Sequence, residues 1–232
     1  MPQASTAVNA SFPSERTTLA AGAAIFHLAS GRVVLCWHAR DHYWFLPKGR
    51  LNANETITAA AEREGFEESG YRNRVLPLPI QHRQPDPENG PKQSFVTEPL
   101  WTQLLPLSSR SQYILFWYAA ETVPPEVEKS YALDALALYA SPPPFPMSMT
   151  LAQRVALDTI KADDGNEVEY EPVHHENTGV DEEEACYESY LLPIADARHR
   201  VKGSVMEDVI RRAWDAVQLR FRMEEDLHTS PT

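Results

Sequence analysis

The feature that most narrows the folding options of this chain is the arrangement of acids and glycines between residues 47 and 71, PKGRLNANETITAAAEREGFEESGY. From Glu55 to Ser69 the residues are mostly helix formers. Asn52 or Asn54 can cap the start, and Gly70 is placed to end the helix. On such a helix Glu64, Glu67 and Glu68, at i, i+3 and i+4, fall within an arc of roughly 100°. Like charges at that spacing repel, each pair costing a few tenths of a kcal/mol. Two readings fit three carboxylates on one face. One is a solvated acidic surface; the other is a seat for a hard divalent cation, which prefers oxygen ligands, keeps several waters and is completed by substrate phosphates.

The spacing extends beyond the helix. Gly49, Glu55, Arg63, Glu64, Glu67, Glu68 and Gly70 form G-x5-E-x7-R-E-x-x-E-E-x-G. Seven fixed positions coincide by chance on the order of once in 10⁸ starting points. The pattern resembles the signature of the Nudix hydrolases over Gly49 to Gly70. The resemblance implies a fold of mixed α and β structure, an α/β/α sandwich with a mixed β-sheet between helices, here with loop insertions. It implies that Glu64, Glu67 and Glu68 are the catalytic carboxylates and hold Mg²⁺ or Mn²⁺, aided by the carbonyl of Gly49, whose missing side chain lets backbone approach the metal. Glu55 and Arg63 are expected to form an ion pair fixing the loop against the helix, with Gly70 as a structural terminator. The implied reaction is hydrolysis of a phosphoanhydride, with divalent ions neutralising phosphate oxygens and activating the attacking water. Gly65 departs from the family, which usually has an aliphatic residue there. Glycine inside a helix costs roughly 0.8 to 1 kcal/mol relative to alanine and is expected to pack nothing.

Ahead of the glycine stands WFLPKGR, whose Pro-Lys-Gly form is similar to Nudix enzymes acting on dinucleoside polyphosphates, diphosphoinositol polyphosphates and capped RNA. Lys48 and Arg50 are placed to meet extra phosphates, as point charge and bidentate fork respectively, and Arg40 and Trp44 are the other expected substrate contacts. Tyr43, Trp44, Tyr113, Trp117 and Tyr118 either stack on a base or belong to the core. ADP-ribose or nucleotide-sugar hydrolysis is the alternative activity, and a non-catalytic nucleotide- or protein-binding module is the alternative class. No extensive basic groove is apparent, so capped RNA is the weakest substrate and no DNA is expected.

The remainder of the chain reads as strands, then a helix, then strands and helices. TLAAGAAIFHLA and GRVVLCWHA form a hairpin about Ser30-Gly31, and YRNRVLPLPI and SQYILFWYAAETV are further strands. LLPIADARHRV and GSVMEDVIRRAWDAVQLRFRM carry helical periodicity, with Val205, Val209, Ile210, Ala213, Val217 and Leu219 as packing positions. The expected layout is a disordered segment 1–16, one domain over 17–223 with insertions at about 83–110 and 140–184, and a flexible tail 224–232. The net charge of −12 is local: ten acids and no Lys or Arg lie between Asp163 and Glu184, leaving about −2 on the rest. That run is expected to be a solvated excursion containing the solvated pair His174-His175. It is expected to be dispensable for chemistry unless it supplies a base such as Glu183 or Glu184, a protein-binding tail or autoinhibitory flap being the alternative. Two scattered cysteines, Cys36 and Cys186, read as thiols in a reducing compartment. With neither a secretory leader nor a membrane-length apolar run, the chain is expected in the cytoplasm or nucleus, acting on a small molecule away from membranes.

Overall fold

The run of small and β-branched residues from Thr17 to His27 forms the strand on which the molecule is built. In the computed structural model, which describes residues 6–85, 93–131, 139–162 and 165–229, this strand, β1, is buried on both faces from Ala20 onward. That explains why it reads as a continuous apolar stretch rather than an alternating one. Gly31, at φ +62°, turns the chain into β2 (Arg32–His38). The short strands β3 (Tyr43–Phe45) and β4 (Lys48–Arg50) follow, then helix α1 (Ile57–Ser69) and β5 (Asn73–Val75). A second hairpin comprises β6 (Trp101–Ser108) and β7 (Ser111–Thr122). After it come α2 (Pro125–Tyr131), α3 (Leu151–Ala156), a small hairpin of β8 (Thr159–Lys161) and β9 (Glu167–Glu169), then β10 (Tyr187–Pro193), α4 (Ile194–Arg200) and α5 (Val205–Thr229).

The main sheet runs β10-β2-β1-β7-β5, with β3 beside β2, β4 beside β1 and β6 beside β7. It is mixed. β1 and β7 are parallel over Thr17↔Gln112 to Phe26↔Glu121, and the other pairs are antiparallel. Alternation along β1 splits the core. Ala20, Ala24 and Phe26 pack with Leu35, Trp117, Val209, Ile210, Ala213 and Val217 beneath α5. Ala21, Ala23 and Ile25 face the other way, where Ala60 and Ala61 of α1 cover Ala21. Helices thus flank the sheet on both sides, as expected of the sandwich.

Helix α1 is capped by Thr56, whose side chain accepts from the Ala59 N–H at 3.2 Å, and not by Asn52 or Asn54. Asn54 instead turns the preceding loop at φ 67°. Gly70 ends the helix at φ 70° with its N–H on the Phe66 carbonyl. Gly65 does pack: a Cβ there would lie 2.5 Å from Asn73 Nδ2 and 3.0 Å from Ile25 Cδ1. The site calls for glycine because the helix rides directly on β1 and β5.

Several expected boundaries move. Residues 101–108, read as part of an insertion, form β6. Its proline, Pro106, sits where the register with β7 shifts, a position an edge strand tolerates. The segment 140–184 is only partly an excursion. Thr150 and Gln153 form a capping box for α3, and Leu151 and Arg154 are fully buried. Arg154 pairs with Glu121 at 2.7 Å and Asp158 at 2.8 Å, all three out of solvent. Leu191 to Pro193 belong to a strand rather than a helix, because they pair with Val34 to Arg32. Residues 224–229 continue α5. Glu224 is buried there and binds Arg220, whose guanidinium also donates to the carbonyls of Pro77 and Met149. Leu219 is exposed, the inward position being taken by Arg220. Residues 1–5, 163–164 and 230–232 of the expected terminal and acidic segments lie outside the described residues. Among the described residues no helix is long and apolar enough to cross a membrane, and Cys36 and Cys186 are not bonded to each other.

Candidate active site

The site grows from the contact between β4 and α1. β4 pairs with β1 through Ala20↔Arg50, Ala21↔Gly49 and Gly22↔Lys48, which pins the Lys48-Gly49-Arg50 segment to the centre of the sheet. The buried stripe of α1 contains Ala60, Ala61, Glu64, Gly65, Glu68 and Ser69. Small residues bring the helix onto the sheet, and the same face delivers Glu64 and Glu68 to β4. A Cβ on Gly49 would overlap the Glu64 carboxylate, so only glycine leaves room for it. The Lys48 N–H donates to Glu68 Oε2 at 2.6 Å.

Arg63 organises the rim. Its guanidinium donates to both oxygens of Glu55, at 2.8 and 2.9 Å, to Glu64 Oε1 at 2.8 Å, to Glu67 Oε2 at 2.6 Å and to the Arg50 carbonyl at 2.8 Å. Glu55 also accepts from the Asn52 N–H. The loop between β4 and α1 is thereby tied to the helix.

The third carboxylate close to Glu64 and Glu68 is Glu184, from the acidic segment; one carboxylate oxygen of each lies within 4.8 Å of the others. Glu67 is held by Arg63 and stands apart from that group, although it lines the same cleft. Burial lifts the Glu64 carboxyl to about 7 against the pull of Arg63, and that of Glu68 to about 8 against the pull of Lys48. Converging carboxylates repel one another when ionised. A divalent ion with oxygen preference would supply the missing charge, so the donor set fits Mg²⁺ or Mn²⁺.

The cleft above the carboxylates has a volume of about 760 Å³. Lys48, Gly49 and Arg50 of β4 line it together with Leu107, Tyr113, Asp181, Glu183, Glu184 and Tyr187. Two expected contacts are elsewhere. Trp44 alternates to the other face of the sheet, where its ring meets Trp37 at 5.1 Å, Tyr190 at 5.3 Å and the Arg200 guanidinium at 4.3 Å. Arg40 is exposed, bonded to its neighbour Asp41 and absent from the cleft lining. Trp117 and Tyr118 are core residues, leaving Tyr113 as the member of that aromatic set that reaches the cleft. The expected solvated pair is engaged: His175 binds Glu128 at 2.7 Å and His174 binds Ser189 at 2.8 Å. Leu107, Asp181 and Tyr187 had no sequence signal; they arrive by long-range packing.

A family model for the NUDIX domain matches residues 16–134, ending well before Glu184. No curated protein matches. Similar solved structures include a NUDIX hydrolase from Nitrosomonas europaea (12% identity, 84% of this chain and 87% of that chain covered, TM-score 0.42). A C. elegans Ap4A hydrolase is similar at 14% identity, 84% and 95% coverage and TM-score 0.43. A MutT protein from Methanosarcina mazei Go1 follows at 10%, 85% and 92%, and 0.39. The domain match spans just over half of the chain and contains β4, α1 and every residue of the Gly49-to-Gly70 pattern, so the chain belongs to the Nudix hydrolase family.

Proposed function

We propose that this Nudix hydrolase cleaves a phosphoanhydride bond in a polyphosphate-bridged substrate, a dinucleoside polyphosphate in preference to a diphosphoinositol polyphosphate, using Mg²⁺ or Mn²⁺ held by Glu64, Glu68 and Glu184. The observation that carries the reading is the convergence of those three carboxylates below a cleft whose β4 side presents Lys48 and Arg50. A bound divalent cation would neutralise phosphate oxygens and lower the pKa of water. The protein's own groups divide the remaining work. Lys48 and Arg50 meet phosphates beyond those at the carboxylates. Arg63, already occupied by Glu55, Glu64 and Glu67, orients the carboxylates rather than the substrate. Glu67 lines the same cleft, with its Oε2 accepting from the Arg63 guanidinium at 2.6 Å.

Other residues of the cleft support this choice of substrate. The cleft that carries Lys48 and Arg50 is also lined by the acids Asp181 and Glu183, a poor match for a densely phosphorylated ring. Tyr113 and Leu107 offer a planar, apolar surface suited to a nucleobase. The second reading, ADP-ribose or nucleotide-sugar hydrolysis, needs the same carboxylates but fewer cations. A panel of dinucleoside polyphosphates, diphosphoinositol polyphosphates, ADP-ribose, nucleotide sugars and nucleoside triphosphates, with products identified, separates the two. Glu68→Gln should lower turnover at least about a hundredfold with the fold intact, and chelation should abolish turnover. Undiminished turnover in excess chelator would show that the cation is not required.

A further inference from the structure

Glu184 lies far along the chain from α1, and its position is fixed from two sides. Downstream, β10 pairs with β2 along its whole length, from Tyr187↔His38 to Pro193↔Arg32. Upstream, the segment 174–184 is fastened to the C-terminal turn of α1. The last carbonyls of a helix have no donor within it, and here the final three each find one from a distant part of the chain. Thr178 Oγ1 donates to the Glu67 carbonyl at 2.8 Å, Cys36 Sγ reaches that of Glu68 at 3.5 Å, and Ser189 Oγ donates to that of Ser69 at 2.7 Å. Just past the helix, the His175 N–H donates to the Gly70 carbonyl at 2.9 Å.

Between these anchors the backbone shapes Glu184 directly. The Val180 N–H donates to Glu184 Oε2 at 2.6 Å, and Asp181 Oδ1 accepts the N–H groups of Glu183 and Glu184, both at 2.9 Å. Gly179 lies against the same residue: a Cβ there would stand 2.8 Å from Glu184 Cβ. The Thr178 bond lands on the backbone of Glu67, the residue between the two motif carboxylates that converge with Glu184.

Resting on the reading of Glu64, Glu68 and Glu184 as the cation site, we propose that Thr178 is a positioning residue. By docking the 174–184 segment on the Glu67 carbonyl, it holds Glu184 within reach of Glu64 and Glu68 and so sets the affinity of the site for a divalent cation. Part of the metal affinity is then controlled from outside the helix that carries the motif, and outside the matched NUDIX range.

The test is titration of the full-length protein with Mn²⁺, free ion being read by electron paramagnetic resonance, alongside urea unfolding of each variant. Thr178→Val should weaken Mn²⁺ binding about three- to tenfold, the loss of one hydrogen bond, and Thr178→Ser should restore it to within about twofold. Gly179→Ala, which displaces Glu184 without touching the helix, should weaken binding to a similar degree. Glu184→Gln should weaken it further, and Thr178→Val should add nothing in that background, because both act through one carboxylate. A variant Thr178→Val that loses stability yet keeps its Mn²⁺ affinity would overturn the inference and leave Thr178 as a helix-end contact. Glu68→Gln separates this from the underlying reading: if it binds Mn²⁺ as tightly as the parent, the carboxylate site itself is wrong.

Discussion

Replacing Gly65 by alanine sets two physical effects against each other. Helix propensity alone favours alanine by about 1 kcal/mol. Packing opposes it. The new methyl would lie 2.5 Å from Asn73 Nδ2 and 3.0 Å from Ile25 Cδ1, both inside contact distance. The Asn73 amide cannot simply swing aside, because Asn73 is fully buried and its Nδ2 donates to the carbonyls of Glu62 at 2.9 Å and Tyr71 at 3.2 Å. Overpacking costs about 1 to 3 kcal/mol, and disturbing a buried donor adds about 1 to 3 kcal/mol. The expected net effect of Gly65→Ala is a destabilisation of roughly 1 to 5 kcal/mol, opposite in sign to the propensity effect. Urea unfolding measures it, and a double-mutant cycle assigns the cause. In an Asn73→Ala background the closer of the two obstructions is gone and only Ile25 Cδ1 remains, so Gly65→Ala should cost at least about 1 kcal/mol less than in the parent. A single variant Gly65→Ala more stable than the parent would refute the packing argument.

The metal-free protein should lose stability as pH rises. Burial lifts the carboxyls of Glu68 to about 8, and of Glu64 and Glu62 to about 7, from an ordinary value of 4.5. The folded chain therefore keeps protons that the unfolded chain releases, and stability declines from near pH 5 to pH 8. Thermal unfolding across that range should show the decline, with excess Mn²⁺ removing most of it and Glu68→Gln flattening it; a flat metal-free profile would contradict the burial of these groups. Lys48→Ala and Arg50→Ala should each raise KM for a pentaphosphate-bridged dinucleotide about tenfold or more, since a charge-assisted hydrogen bond contributes about 1.5 to 3 kcal/mol. ADP-ribose should be affected less, and equal losses on both substrates would remove the case for a polyphosphate. The Lys48 N–H to Glu68 bond is a backbone contact, so the alanine variant retains it.

What the sequence made legible was local. The hairpin at Gly31, the helix ended by Gly70 and the β4-to-α1 spacing all depend on neighbours a few residues apart, where turn chemistry and periodicity operate. Gly65 looks like a weakness in the sequence because its reason lies in Asn73 and Ile25, which only the tertiary structure brings near. Arg154 and Arg220 look like surface cations in the chain, yet each is buried against its own carboxylates and carbonyls. Trp44 stands close to Lys48 in sequence, while strand alternation sends it to the opposite face. The acidic segment was judged by composition. Composition does not reveal that Thr178 and His175 fasten it to α1, nor that Glu184 then meets Glu64 and Glu68.

On the ribosome, the placement of β10 makes the site a late product of synthesis. β2 joins β1 and β3 early, but the partner along its whole length is Tyr187–Pro193, near the end of the chain. Until that strand emerges, the buried residues Val33 to Cys36 lie on a sheet edge with unpaired backbone groups, a template for association with other chains. Pairing over such sequence distances also makes folding slow. A nascent chain stalled before Tyr187 should therefore need shielding by a chaperone and should bind Mn²⁺ no better than full-length Glu184→Gln. Tight binding by such a stalled chain would show that β10 is dispensable for assembling the carboxylates. If Glu64, Glu68 and Glu184 hold a cation as proposed, its acquisition would mark the moment at which Tyr187–Pro193 has closed the sheet.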